Sequence, residues 1–213
     1  MRDIVLTAFV LGSLPFILRR PQLGIVMYVW LSVMNPHRLA WSFAQELNFA
    51  AIVALTTLAG AIFSKDVRPP PMNALTIAFI AFVGWTGITT LFALHPEEAR
   101  AQWQTLMKTF LMAFLIPMLL HKKDDLHLLI WTLALSIAYY GTKGGIWTLV
   151  TGGVARVYGP AGSYIEDNNA IAAAVVMVIP LLRYLHLASR QWYVRWALIA
   201  MMVSCAVAVL GTY

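Results

Sequence analysis

Eight apolar runs, separated by short polar or proline-bearing segments, leave this 213-residue chain few folds to choose from. The better runs are 47–63, 73–94, 106–120, 126–150, 170–187 and 193–210, and most approach the roughly 20 residues that a helix needs to cross a bilayer core of about 30 Å. Two shorter runs, 4–18 and 23–34, are divided by Arg19-Arg20-Pro21 and read either as thin spans or as a hairpin that only partly enters the membrane. With 61% hydrophobic and 11% charged residues, and a mean hydropathy of +0.75, the composition is far from that of a water-soluble globule. Only helices and closed barrels satisfy their backbone in lipid, and these runs have helical length. The expected fold is therefore all-α, a polytopic integral membrane helix bundle of about eight transmembrane helices. Residues 1–213 would form a single membrane domain with a polar outer loop at 151–169.

Charge orients the bundle, because cytoplasmic loops carry an excess of Lys and Arg. One end collects nine cations: Arg19, Arg20, Lys65, Arg68, Lys122, Lys123, Arg183, Arg190 and Arg195. The other collects six: Arg2, Arg38, Arg100, Lys108, Lys143 and Arg156. This split places the N-terminus, the 95–105 loop and the 156–169 loop outside the cytoplasm. The formal +6 is then ordinary topology charge. No basic-aromatic strip accompanies it, which excludes a nucleic-acid partner. A cleaved signal peptide is excluded too, since Asp3 interrupts the basic lead and Pro15 and Arg19-Arg20 stand where small residues should.

Several chemistries find no residues to run on. Cys205 is alone in an apolar helix pattern, so a packing role is expected. His37, His95, His121, His127 and His186 lie at or near segment boundaries without metal-binding spacing, so no metal is expected. No Walker, GxGxxG or GxSxG motif is present, and no cofactor is implied. Residues 35–46, with a helix-breaking start and Trp41, read as an interfacial helix. Pro69-Pro70-Pro71 reads as a stiff connector, and Glu97-Glu98 as acids in the first turn of a helix, where they suit its dipole.

What remains polar gathers at the outer end. Lys143 lies in Tyr139-Tyr140-Gly-Thr-Lys-Gly-Gly145, which interrupts an otherwise spanning segment about 10 Å from its end near Val150. Ionisable groups inside spans are costly and point to function by default, with snorkelling as the plainer alternative. The flanking glycines favour function, because they allow backbone or substrate to come close. The next loop adds Arg156, then Glu166, Asp167, Asn168 and Asn169. Two cations among glycines and amides suit a pyrophosphate and a sugar, since Arg forks onto phosphate oxygens and a buried Lys acts as a point charge. One Asn serves equally well as a helix N-cap, and the two acids as a general base or a solvated pair.

At this loop the chain resembles a known family. Arg156, Gly159, Gly162-Ser163, Asp167-Asn168-Asn169 and Ala170, ending in Pro180-Leu-Leu, are similar to the segment preceding the catalytic core of the O-antigen ligase and polymerase superfamily. More narrowly, Met1-Arg2-Asp3, Met34-Asn-Pro-His-Arg-Leu-Ala-Trp41 and Tyr158-Gly-Pro-Ala-Gly-Ser163 look like the O-glycosylation ligases associated with exosortase A systems. The resemblance covers most of the chain. It implies a glycosyltransferase of the bacterial inner membrane, with its site facing the periplasm, that moves a glycan from undecaprenyl diphosphate to a protein or lipid acceptor. Membrane lipid is a further expected partner. The implied reaction is a single displacement at the anomeric carbon, without nucleotide sugar or required metal. Arg156 and Asp167–Asn169 carry over as site candidates, whereas Lys143 comes from the physical argument alone.

In that superfamily a motif like Gly211-Thr-Tyr213 leads into a Ser-Arg-Gly step, further spans and a large periplasmic loop bearing a catalytic His. These 213 residues are therefore expected to be an N-terminal portion, inactive alone, with no catalytic His of their own. A transporter or flippase-like protein for a lipid-linked anion is the competing expectation. It would use a helix broken at 141–145 around Lys143 as a midplane site.

Overall fold

The computed structural model describes residues 2–39 and 43–212. It is built of eight α-helices: α1 (Arg2–Arg19), α2 (Pro21–Met34), α3 (Phe49–Phe63), α4 (Ala74–Leu91), α5 (Pro96–Leu119), α6 (Lys123–Val150), α7 (Asn168–Ala188) and α8 (Trp192–Leu210). Among the described residues there is no strand. The helix starts follow local chemistry. Asn48 and Asn73 accept the Ala51 and Thr76 amides as N-caps of α3 and α4, and Pro21 and Pro96 occupy first-turn positions where no amide is missed.

Among the described residues three helices are long and apolar enough to cross a membrane: α4, α7 and α8, of 18, 21 and 19 residues. At 1.5 Å per residue they span about 27 to 32 Å. They associate the chain with a membrane. The other five depart from the simple span in two ways. α2 and α3 are apolar but only 14 and 15 residues long. The other three carry ionic residues: Asp3 and Arg19 in α1, Glu97, Glu98 and Lys108 in α5, Asp124, Asp125 and Lys143 in α6.

The two larger of three buried clusters among the described residues organise the bundle. Val10 and Ile17 of α1, Leu31 of α2, and Phe49 and Val53 of α3 form one of them. Ala134, Ile137 and Ala138 of α6 pack with Ile171, Val175, Val178 and Leu182 of α7 and Leu198 and Cys205 of α8 in the other. Between them α2 packs directly on α6 and also touches α5. Cys205 is fully buried, as its packing role requires. α4 packs on α5 through the rings of Phe79, Phe82, Phe110 and Phe114. The remaining faces of α4 expose Leu75, Trp85 and Leu91, an inside-out pattern natural to a helix bathed in lipid.

Two expectations need correction. The interfacial helix across 35–46 is instead two 3-10 turns, Pro36–Leu39 and Phe43–Gln45, after Asn35 takes the left-handed conformation (φ 49°) and ends α2. Ala40, Trp41 and Ser42 lie outside the described residues, as do Met1 and Tyr213. Second, α6 runs unbroken through Gly141–Gly145, so the interrupted helix that a midplane transport site requires is not there.

Candidate functional site

The glycines of α6 are occupied by another helix. A Cβ on Gly141 would lie 2.5 Å from Cys205 Sγ, one on Gly144 would be 3.3 Å from the Ala208 methyl, and one on Gly145 would overlap the Ser204 carbonyl and sit 2.8 Å from its carbon. Small residues let membrane helices approach backbone to backbone, and here they form the seam between α6 and α8. Ser204 Oγ donates to the Thr142 carbonyl at 3.1 Å across the same seam. Helical periodicity of 100° per residue turns Lys143 to the opposite side of α6 from these glycines. The glycines thus face α8, and the exposed Lys143 faces away from it.

Lys143 and Arg156 line one pocket of about 510 Å³, together with Tyr140, Trp147, Tyr158 and Gly159. Tyr140 Oη donates to the Met34 carbonyl and so pins the end of α2 against α6. The loop supplying Arg156 is tightly folded. Val157 is buried, and its amide donates to the Gly211 carbonyl at 3.0 Å. The Gly159 amide donates to the Glu166 carbonyl at 3.0 Å. A side chain at Gly159 would collide with the Ile165 carbonyl, so only glycine permits this closure.

The acids and amides do a different job from the two cations. Glu166 accepts the Gly162 amide at 2.7 Å through its carboxylate, which stabilises a left-handed glycine (φ 71°). Asp167, and neither Asn, caps α7 by accepting the Asn169 and Ala170 amides. Asn168 is the first residue of α7, and its amide group donates to the Thr212 carbonyl at 2.6 Å. Asn169 is exposed in the first turn. Glu166, Asp167 and Asn168 therefore build the loop that presents Arg156, and no Asp, Glu or His lines the pocket among the described residues.

A family model described as a family of unknown function, DUF5935, matches residues 1–190. The chain belongs to DUF5935. No curated protein and no solved structure matches it. All six site candidates of this DUF5935 chain lie within the matched stretch, whereas α8, which holds the glycine seam from the other side, lies beyond it.

Sequence reasoning missed the surroundings of Lys143. An apolar furrow of about 900 Å³ runs from it between α1, α2 and α6, lined by Phe9, Phe16, Leu23, Met27, Trp30 and Leu135. A third cavity of about 990 Å³ also reaches Lys143 and brings in Arg2 and Arg38. Their only sequence signal was membership of polar motifs at the outer end. Beside Arg38, burial and then the guanidinium charge hold His37 below the usual imidazole pKa, and its Nδ1 is buried without a hydrogen-bond partner.

Proposed function

We propose that this DUF5935 chain is a bundle of about eight spans in the bacterial inner membrane and serves an O-antigen-ligase-like glycosyltransferase. It would hold a glycan linked to undecaprenyl diphosphate at the periplasmic face, for transfer to a protein or lipid acceptor. The observation that carries this reading is the shared pocket: Lys143 and Arg156 supply the charge of one opening that joins, through Lys143, an apolar furrow. An amphiphile with an anionic head and a long hydrocarbon tail matches both halves, since the head takes the charge-assisted hydrogen bonds and the tail takes the apolar wall.

In the displacement, the acceptor hydroxyl oxygen forms a bond to the anomeric carbon as the bond from that carbon to the diphosphate oxygen breaks. The bonding pair leaves with the diphosphate, and Lys143 and Arg156 stabilise the charge that develops there. The acceptor proton passes to a base that these two residues do not supply. The chemistry assigned to this end of the bundle is therefore leaving-group stabilisation.

Transfer measured in membranes bearing a complete ligase that contains this segment tests the reading. Arg156→Ala and Lys143→Met should each reduce transfer roughly ten- to a hundredfold, equivalent to about 1.5 to 3 kcal/mol, with membrane insertion intact. Wild-type rates in both variants would return the two cations to snorkelling and packing.

A further inference from the structure

The cationic lining extends past the Lys143–Arg156 pocket. The adjoining cavity of about 990 Å³ shares Lys143 and Leu39 with it and is lined by Arg2 from the start of α1, Arg38 from the first 3-10 turn, and Gln45. No carboxylate lines either cavity among the described residues. Four of the six cations at this end thus converge on one opening from four separate segments, although cations are the residues that an outer face tends to lack. Like charges held together disfavour the folded state unless an anion joins them.

Arg38 is exposed yet lies close to the site loop. The left-handed Asn35 and the 3-10 turn that follows carry it back over the bundle. Its guanidinium packs under the site loop, so that a Cβ on Gly162 would lie 3.2 Å from its Cζ. Lys143 thus lines two adjoining cavities, one with Arg156 and the other with Arg2 and Arg38.

We propose that Arg2 and Arg38 form a second anion subsite beside Lys143, so that the opening takes two linked phosphates, one in each cavity. The inference rests on the lipid-diphosphate reading above and adds to it the residues that count phosphates. A monophosphate engages only one cavity. Both phosphates stay with the carrier when the sugar leaves, so the same four cations hold substrate and departing group alike.

Native mass spectrometry of the full chain, titrated with undecaprenyl diphosphate, undecaprenyl monophosphate or phosphatidylglycerol, separates the possibilities. The wild type should prefer the diphosphate over the monophosphate by about tenfold or more, the scale of one lost charge-assisted contact. Arg2→Gln and Arg38→Gln should each shrink that ratio several-fold, and Arg38→Lys should restore part of it. Arg2 serves as the second variant because Arg38 also supports the loop. An unchanged ratio in both glutamine variants would overturn the second subsite and leave the Lys143–Arg156 reading standing. Phosphatidylglycerol binding as tight as the diphosphate would overturn it in favour of a general anionic-lipid patch. Absence of diphosphate binding by the wild type would remove the subsite and the reading beneath it together.

Discussion

Gly145→Ala is the sharpest test of how α6 is held. The added methyl would overlap the Ser204 backbone carbonyl oxygen, which no side-chain rotation can move aside, and would sit 2.8 Å from the carbonyl carbon. Ordinary contact requires α6 and α8 to part by about 1 Å, and a gap of that size forfeits about a quarter to a half of each dispersion contact along the seam. Overpacking of this kind costs about 1 to 3 kcal/mol. A rigid backbone obstacle belongs at the upper end, and the better helix propensity of Ala offsets about 1 kcal/mol, so a net loss of about 2 kcal/mol is expected. Gly84 in α4 is the matched control, with nothing within 4 Å of its added Cβ. Gly84→Ala should gain up to about 1 kcal/mol. Unfolding both variants in mixed micelles, followed by tryptophan fluorescence, measures the difference. Equal stability of the two variants would refute the close α6–α8 approach.

Further outcomes follow from the site. Gly159→Ala should detach the loop, because its Cβ meets the Ile165 carbonyl; protease cleavage within 156–167 should accelerate, and an unchanged cleavage rate would contradict the closure at Gly159. His37 should titrate below the ordinary value of 6.5. The unfolded chain then binds more protons between the two values, so stability contributed by neutral His37 is full above 6.5 and declines as pH falls towards the folded pKa. An imidazole NMR titration with its midpoint at or above 6.5 would remove that dependence. Reporters fused after Lys65 and Lys123 should register cytoplasm, and those after Arg100 and Arg156 the outer side. A cytoplasmic signal at Arg156 would invert the orientation.

Most of the secondary structure was legible because apolar runs and their caps are local signals. Asn73 marks the start of α4 as an N-cap, and the 126–150 and 193–210 runs coincide closely with α6 and α8. Position 141–145 misled for a physical reason. Glycines weaken a helix in isolation, and a lone stretch of sequence does not reveal that Ser204, Cys205 and Ala208 wait across the seam to compensate. The site was legible to the extent that Lys143 and Arg156 are charged groups near an outer boundary, separated by only a few turns and a loop. Arg2 and Arg38 stand more than a hundred residues before Lys143, so only the return of α1 and α2 to the same end reveals their convergence. Asp167 outcompeted the asparagines as cap because it immediately precedes the first helical residue.

The C-terminal end of α8 grips the site loop at two points. Gly211 receives the Val157 amide, one residue from Arg156, and Thr212 receives the side chain of Asn168 at the head of α7. The arrangement works like a drawstring threaded through both hems of a pouch. A load on α8 reaches Arg156 and the head of α7 through these bonds, and the helix that carries Lys143 through the glycine seam. The spacing between the two cations therefore depends on where α8 sits.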